Sequence, residues 1–151
     1  MFRISKKLMF AIEAVLDIAY NAGTEPVHSG EITRRQGIPK RYLEQVLQQL
    51  VRDGILAGVR GPRGGYRLAR ERRRITVGEI VRVVRSMESA ADAMEDPAGS
   101  VLGHQVVRPL WLELQDDCMS RLDNTSIEDL CLRARKAGVP TETGDRIDFS
   151  I

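Results

Sequence analysis

Apolar residues recur every three and four positions from Leu8 onward, through Met9, Ile12, Val15, Leu16 and Ala19. That is the spacing of one buried helical face. Ser5 is placed to open this helix and Gly23 to end it. Ser29 predicts the N-cap of a short second helix over residues 30–36, stopped by Gly37. Ile38 precedes a proline and is biased away from helical geometry. Gly37-Ile38 therefore predicts a tight turn, with Pro39 in the first turn of a third helix that reaches about Asp53 and is closed by Gly54. Leu43, Val46, Leu47 and Leu50 form the apolar stripe of that helix. The pattern then turns strand-like: residues 55–59 and 66–69 flank Arg60-Gly61-Pro62-Arg63-Gly64-Gly65, which predicts a β-hairpin.

Farther on, Thr76 with Glu79 predicts a capping box for a helix carrying Ile80, Val81, Val84 and Met87. Residues 88–100 are small, acidic and aperiodic, and predict a loop. From Ser100 to about Asn124 a second long segment places Val107, Trp111, Leu114, Cys118 and Leu122 at spacings of four, three, four and four, joined by Val106 and Leu110. One helix of this length cannot bury such a stripe by itself. The first helix should cover part of it, and an antiparallel helix from a second copy the rest, which makes those five residues the candidate homodimer interface. Thr125 with Glu128 predicts a last capping box, and Gly138 and Pro140 end that helix. The expected architecture is mainly α with a small β-hairpin wing: a winged helix-turn-helix over residues 1–74, dimerisation and regulatory helices over 75–138, and a flexible polar tail over 139–151.

Charge sharpens this picture. Residues 1–74 hold 15 Lys/Arg against 7 Asp/Glu, a net of +8, and residues 75–151 hold 8 against 14, a net of −6. A cationic half suits a polyanion. A long helix, a short helix, a three-residue turn and a longer helix form the helix-turn-helix plan, whose last helix reads the major groove of DNA. The polar face of the third helix carries Lys40, Arg41, Glu44, Gln45, Gln48 and Arg52, and Tyr42 lies in its N-terminal turns; such side chains can contact base edges or phosphates. Arg60 and Arg63 on a protruding loop suit a narrow minor groove. The glycine-rich loop lacks the Gly-Lys-Ser/Thr ending of a nucleotide phosphate cradle. No segment approaches the ~18 apolar residues of a membrane span, no signal-peptide pattern opens the chain, and a cytoplasmic protein with Cys118 and Cys131 as thiols is expected. No nucleophile–base set or metal-ligand cluster points to an enzyme; the histidines are His28 and His104.

Tyr42-Leu43-Glu44-Gln45, followed by Arg60-Gly61-Pro62-Arg63-Gly64-Gly65-Tyr66-Arg67-Leu68, then Ile75-Thr76-Val77-Gly78-Glu79-Ile80 and Thr125-Ser126-Ile127-Glu128-Asp129-Leu130, resembles the IscR/CymR-type regulators, the Rrf-two family. The resemblance covers roughly residues 3–135. It implies a homodimeric winged-helix transcription regulator, usually a repressor, on a palindromic double-stranded DNA operator, with the long penultimate helix crossing between subunits. By position, the candidate DNA contacts are Ser5, Lys6 and Lys7 at the first helix, Ser29 at the second, and Lys40, Arg41, Tyr42, Glu44, Gln45 and Gln48 on the third. On the wing they are Arg60, Gly61, Pro62, Arg63, Gly64 and Tyr66. Iron–sulfur members of the family carry three cysteines in the loop before the long helix. Residues 88–103 hold none, so the chain resembles the cluster-less branch, with no cofactor. The cysteine-metabolism repressors of that branch also bind cysteine synthase, which makes a cysteine-synthase-type enzyme a further partner to consider. Two alternatives stay open: an iron–sulfur or redox regulator with ligands such as Cys118, His104 or carboxylates, and an adaptor whose winged helix binds protein.

Overall fold

A computed structural model describes residues 4–88 and 93–142. Residues 89–92 of the expected loop and residues 143–151 of the expected tail lie outside them. Among the described residues the chain runs α1 (Lys6–Tyr20), α2 (Ser29–Gln36), α3 (Lys40–Arg52), β1 (Leu56–Val59), β2 (Gly65–Leu68), α4 (Val77–Met87), α5 (Arg108–Asp123) and α6 (Ile127–Lys136). Short 3₁₀ turns occupy Arg72–Arg74 and Ala93–Glu95, and a π-helical turn over Gly103–Val107 leads into α5.

The first helix is the centre of the core, but through a face turned from the stripe read in the sequence: of that stripe only Val15 and Ala19 are buried, Leu8, Ile12 and Leu16 are half-buried, and Met9 is exposed. Ala11, Ala14, Val15, Ile18 and Ala19 are all but solvent-free and meet Ile32 of α2, Leu43, Val46, Leu47 and Leu50 of α3, and Ile80, Val83 and Val84 of α4. Ile127 and Cys131 of α6 join the same cluster. One core therefore runs across the boundary expected at residue 74. The hairpin pairs Leu56 with Leu68 through Val59 with Gly65, antiparallel. Val27 adds a third, single-residue rung: its N–H and carbonyl both bond to the backbone of Tyr66, at 2.9 and 2.8 Å.

Several expected boundaries move, each for a local reason. Helix α1 stops at Asn21 rather than Gly23, because the Asn21 backbone N–H and side-chain amide both donate to the Asp17 carbonyl. Ser29 is the first helical residue of α2 rather than its cap. The His28 imidazole takes that role: Nδ1 accepts from Gly30 N–H at 3.0 Å, and the Glu31 carboxylate accepts from His28 N–H. Pro39 is the N-cap of α3, one place before the helix begins. The Thr76–Glu79 box is present as predicted. The last box uses Ser126 and Asp129, one residue along from Thr125 and Glu128. The register is set by a bridge to the start of α4, in which Val77 N–H donates to Thr125 and Ile127 N–H to Ile75, dropping Ile127 into the core. Thr125 instead turns its hydroxyl back to Arg121, and Glu128 faces Arg72.

One buried charge was not anticipated. The Asp17 side chain is fully shielded from solvent on α1 and takes both Nε and Nη2 of Arg35, at 2.9 and 2.7 Å, and the Gln36 amide at 2.8 Å. The beginning of the expected tail is tied to the same place. After Gly138, at φ 76°, the Val139 carbonyl accepts from the Tyr20 hydroxyl, and Glu142 N–H donates to the Asn21 side chain. The Glu142 carboxylate meets Arg34 and Arg35, which hold it below the usual carboxylate range. Because removing one partner of a shielded, bidentate ion pair is costly, Asp17→Ala should lower stability by about 3 kcal/mol in urea denaturation. Arg34→Ala, which removes only an exposed partner, should leave the midpoint nearly unchanged.

Candidate nucleic-acid interface

The turn between α2 and α3 is built as its residues dictate. Gly37 takes the left-handed conformation (φ 66°) that closes α2, Ile38 is buried, and Pro39 opens α3. With the Leu43–Leu50 stripe locked inward, Lys40, Arg41, Glu44, Gln45, Gln48 and Arg52 are left exposed on the outer face of α3. Ser5, Lys6 and Lys7 are exposed at the start of α1, where Ser5 caps the helix by accepting from Leu8 N–H. Ser29 is half-buried at the start of α2.

Tyr42 departs from the expectation of a free contact residue. It is half-buried, its hydroxyl donates to the Lys7 carbonyl, and its ring lies 6.2 Å from that of Phe10. It therefore acts as a strut that joins the first turn of α3 to the first turn of α1. Burial, then the negative charge of Glu88, pushes its pKa up to about 12.

The wing depends on two glycines where no other residue fits. A Cβ on Gly64 would come within 2.4 Å of the Val59 carbonyl oxygen, and one on Gly65 within 2.4 Å of that of Val27. This tight packing leaves Arg60, Gly61, Pro62 and Arg63 exposed at the tip, while Tyr66 stays half-buried on β2. Arg67 donates to the Thr24 carbonyl at 2.7 Å and Arg63 approaches Glu25 at 3.4 Å, fastening the hairpin to the loop after α1. A groove of about 530 Å³ runs between His28 and Ser29 of the α2 start, Val51 of α3, and Arg60 and Tyr66 of the wing. The basic strip after the wing, residues 70–74, is largely paired within the chain. Arg70 pairs with Glu79, Arg72 with Glu128 and Arg73 with Glu71, so three of its four arginines bind acids of their own chain.

On the far side, none of the residues of α5 is buried. Of the candidate dimer residues, Val107 is 57% exposed and Cys118 is exposed, while Trp111, Leu114 and Leu122 are half-buried. Cys118 and Leu122 line a groove of about 580 Å³ against Leu8, Val81 and Val84 of their own chain. The most exposed apolar side chains run from the turn before α5 into its start: Val101 and Leu102 at 70% and 71%, then Val106, Val107 and Leu110. The C-terminal end of α5 is pinned by a bidentate pair between Arg82 and Asp123, both bonds at 2.7 Å. Cys131 is buried on α6, and burial raises its thiol pKa.

Residues 4–133 match the model of a family described as iron-dependent transcriptional regulators, Rrf2. The chain belongs to the Rrf2 family. It is 32% identical to the transcriptional regulator IscR of Cronobacter sakazakii, over 99% of this chain and 98% of that one. Among solved structures, the CymR of B. subtilis superposes with a TM-score of 0.70 at 30% identity, covering 88% of this chain and 98% of that one. An IscR of T. potens superposes with a TM-score of 0.72 at 32% identity over 90% of each. This Rrf2 chain is a transcriptional regulator of the IscR/CymR type, with the mainly helical winged fold expected from its sequence. Its relatives are regulators rather than enzymes. Among the described residues no helix is long and apolar enough to cross a membrane.

The Tyr42 strut gives a measurable signature. The folded state holds the phenolic proton more tightly than the unfolded chain, whose tyrosine titrates near 10. Its contribution to stability is therefore complete below about pH 10 and lost as pH rises to about 12. Absorbance at 295 nm should show one tyrosine with a midpoint near 12, absent in Tyr42→Phe.

Proposed function

We propose that this regulator is a repressor that binds a palindromic operator as a homodimer in the cytoplasm and works without an iron–sulfur cluster. The observation that carries the reading is the shared groove joining the start of α2, the α3 helix and the wing, with the polar face of α3 and the Arg60 tip both free. In this reading α3 enters the major groove, where Glu44, Gln45 and Gln48 reach base edges, and Arg60 enters the adjacent minor groove. Ser5, Lys6, Lys7, Ser29, Lys40 and Arg41 take phosphates and set the register. Tyr42 holds α1 and α3 together so that both sets of contacts act as one surface.

The α5 helix is the dimer element in this reading. A run of apolar side chains left more than half exposed in one copy is a surface that a second copy covers. Residues 4–74 then supply the DNA contacts and α5 the two-fold axis, which matches a symmetric operator.

The donor chemistry supports a cluster-free state. Clusters need thiolate or imidazole ligands, commonly four. The loop of residues 88–103 has no cysteine, Cys118 lies on α5, and Cys131 is inside the core. Among the described residues no three His, Cys, Asp or Glu side chains gather as metal ligands. A solved relative, CymR, is the global cysteine regulator of B. subtilis. Control of sulfur genes, with a cysteine-synthase-type enzyme as a second partner, is the corresponding reading here.

Selection of genomic fragments by the purified protein should return an inverted repeat. On that sequence Arg60→Ala should weaken binding at least tenfold, since a lost base-directed contact costs ~1–3 kcal/mol. Affinity should fall steeply with salt. A salt-independent or Arg60-independent interaction would point to a protein adaptor instead. Leu110→Asp should sediment as a monomer and lose the operator at concentrations that saturate the parent protein.

A further inference from the structure

Arg108 is the first residue of α5, and its guanidinium is turned back into the preceding loop. One nitrogen, Nη1, donates to the carbonyls of Met94 (3.3 Å) and Asp96, and Nη2 donates to that of Ala98 at 2.7 Å. Three carbonyls of the segment before α5 thus meet one planar fork of donors. The loop is shaped to allow this. The Asp96 carboxylate accepts from Ala98 N–H at 2.9 Å and folds the chain into a local turn. Gly99 then adopts φ 123°, a conformation that favours glycine. A Cβ there would stand 3.3 Å from Arg108 Nη2 and 3.6 Å from His104 Nε2. The guanidinium and the imidazole therefore flank the same glycine. Beyond it, Ser100 closes the next turn, its hydroxyl accepting from Gly103 N–H and its carbonyl from His104 N–H, both at 3.0 Å. Val101 and Leu102, the most exposed apolar residues of the chain among those described, emerge from this turn.

We propose that Arg108 is the positioning residue of this loop: its fixed cation supplies the cross-link that a metal centre would supply in a ligand-bearing loop, and so sets the apolar face at Val101, Leu102, Val106 and Val107 against a second copy of the chain. The inference rests on the cluster-free, dimeric reading given above. A permanent positive charge beside His104 opposes the arrival of a metal cation at the one imidazole in reach. Each carbonyl taken by the guanidinium is one fewer group left to pull the loop away from α5. The order of the loop, and with it the strength of the dimer, then depends on neither iron nor oxidant.

Three full-length proteins decide the matter: the parent, Arg108→Met, which keeps much of the side-chain length without the fork, and Arg108→Lys, which keeps the charge without it. Amide hydrogen exchange over residues 94–103 and the dimer dissociation constant from sedimentation are the two readouts. Arg108→Met should accelerate exchange in that segment at least tenfold and weaken the dimer at least tenfold. Exchange of the core amides of α3 should stay as in the parent. Arg108→Lys should fall nearer to Met than to Arg, because one ammonium cannot span three carbonyls in fork geometry. Parent-like exchange in Arg108→Met overturns the proposal, and so does acceleration spread evenly into α3, which would make Arg108 a general support of the fold. Ferrous iron and sulfide added anaerobically to the parent should leave the exchange of the loop unchanged. If they slow it, the cluster-free reading fails, whatever the Arg108 variants show. If the parent is a monomer, the dimeric reading fails while the exchange result still reports on the cross-link.

Discussion

A wholly buried carboxylate on the central helix holds the rest of the molecule in register. Asp17 sits among the apolar residues of α1, where an unpaired charge would be too costly to keep. Two nitrogens of Arg35 and the amide of Gln36 satisfy it. Those partners belong to the last turn of α2, immediately before Gly37, so the pair fixes where the helix-turn-helix begins its turn. From the same corner, Asn21 caps α1 and holds Glu142, and Tyr20 holds Val139. Hydrophobic burial can be met by many small rotations of α2 on α1; a bidentate guanidinium pair cannot. The apolar core supplies the driving force, and this one polar contact removes the freedom to slide.

The helices were legible because each carries a periodic stripe and three of them, α2, α3 and α6, carry a glycine stop. The wing was legible because a double glycine between two short β-rich runs has few other uses, and the clash distances at Gly64 and Gly65 explain why both are needed. Helix starts were harder to place. At residues 28 and 29 a serine stands beside a histidine, and only geometry decides that the imidazole reaches Gly30 N–H. At residues 125 and 126 two hydroxyls compete for one cap. A bridge from the start of α4, some fifty residues away in sequence, selects Ser126. Local patterning carries no information about such a partner.

The candidate interface divides in the same way. Exposure of the polar α3 face follows from the stripe opposite it, and exposure of Arg60 from its place at the wing tip. The commitment of Tyr42 to Lys7 was invisible, because it joins residues 35 apart through a backbone carbonyl that any side chain could have covered. The pairing of the Arg70–Arg74 strip was hidden for a related reason. Sequence shows a dense positive charge, but its acids lie on α4 and α6 and at Glu71, and pairing with them reduces what is left for a phosphate. Asp17 was hidden too, since an acid on an otherwise apolar face marks a partner without naming it.

The helix α5 is best understood from what it lacks. A surface helix normally turns one apolar face inward and a polar face to water. Here Leu110 and Leu112 are about half exposed, as is Val107 just before the helix, while Trp111, Leu114 and Leu122 are half-covered, and no residue is buried. Apolar side chains therefore point in more than one direction from a helix that packs on α4 and keeps much of its surface exposed. The acids Glu113, Asp116 and Asp117 share this helix, within a half of the chain whose net charge is −6 against +8 for the winged half. An apolar surface with negative charge around it repels a phosphate backbone and still accepts another apolar surface. The charge division that marks one half for DNA thus also sets α5 and its exposed apolar side chains apart from DNA.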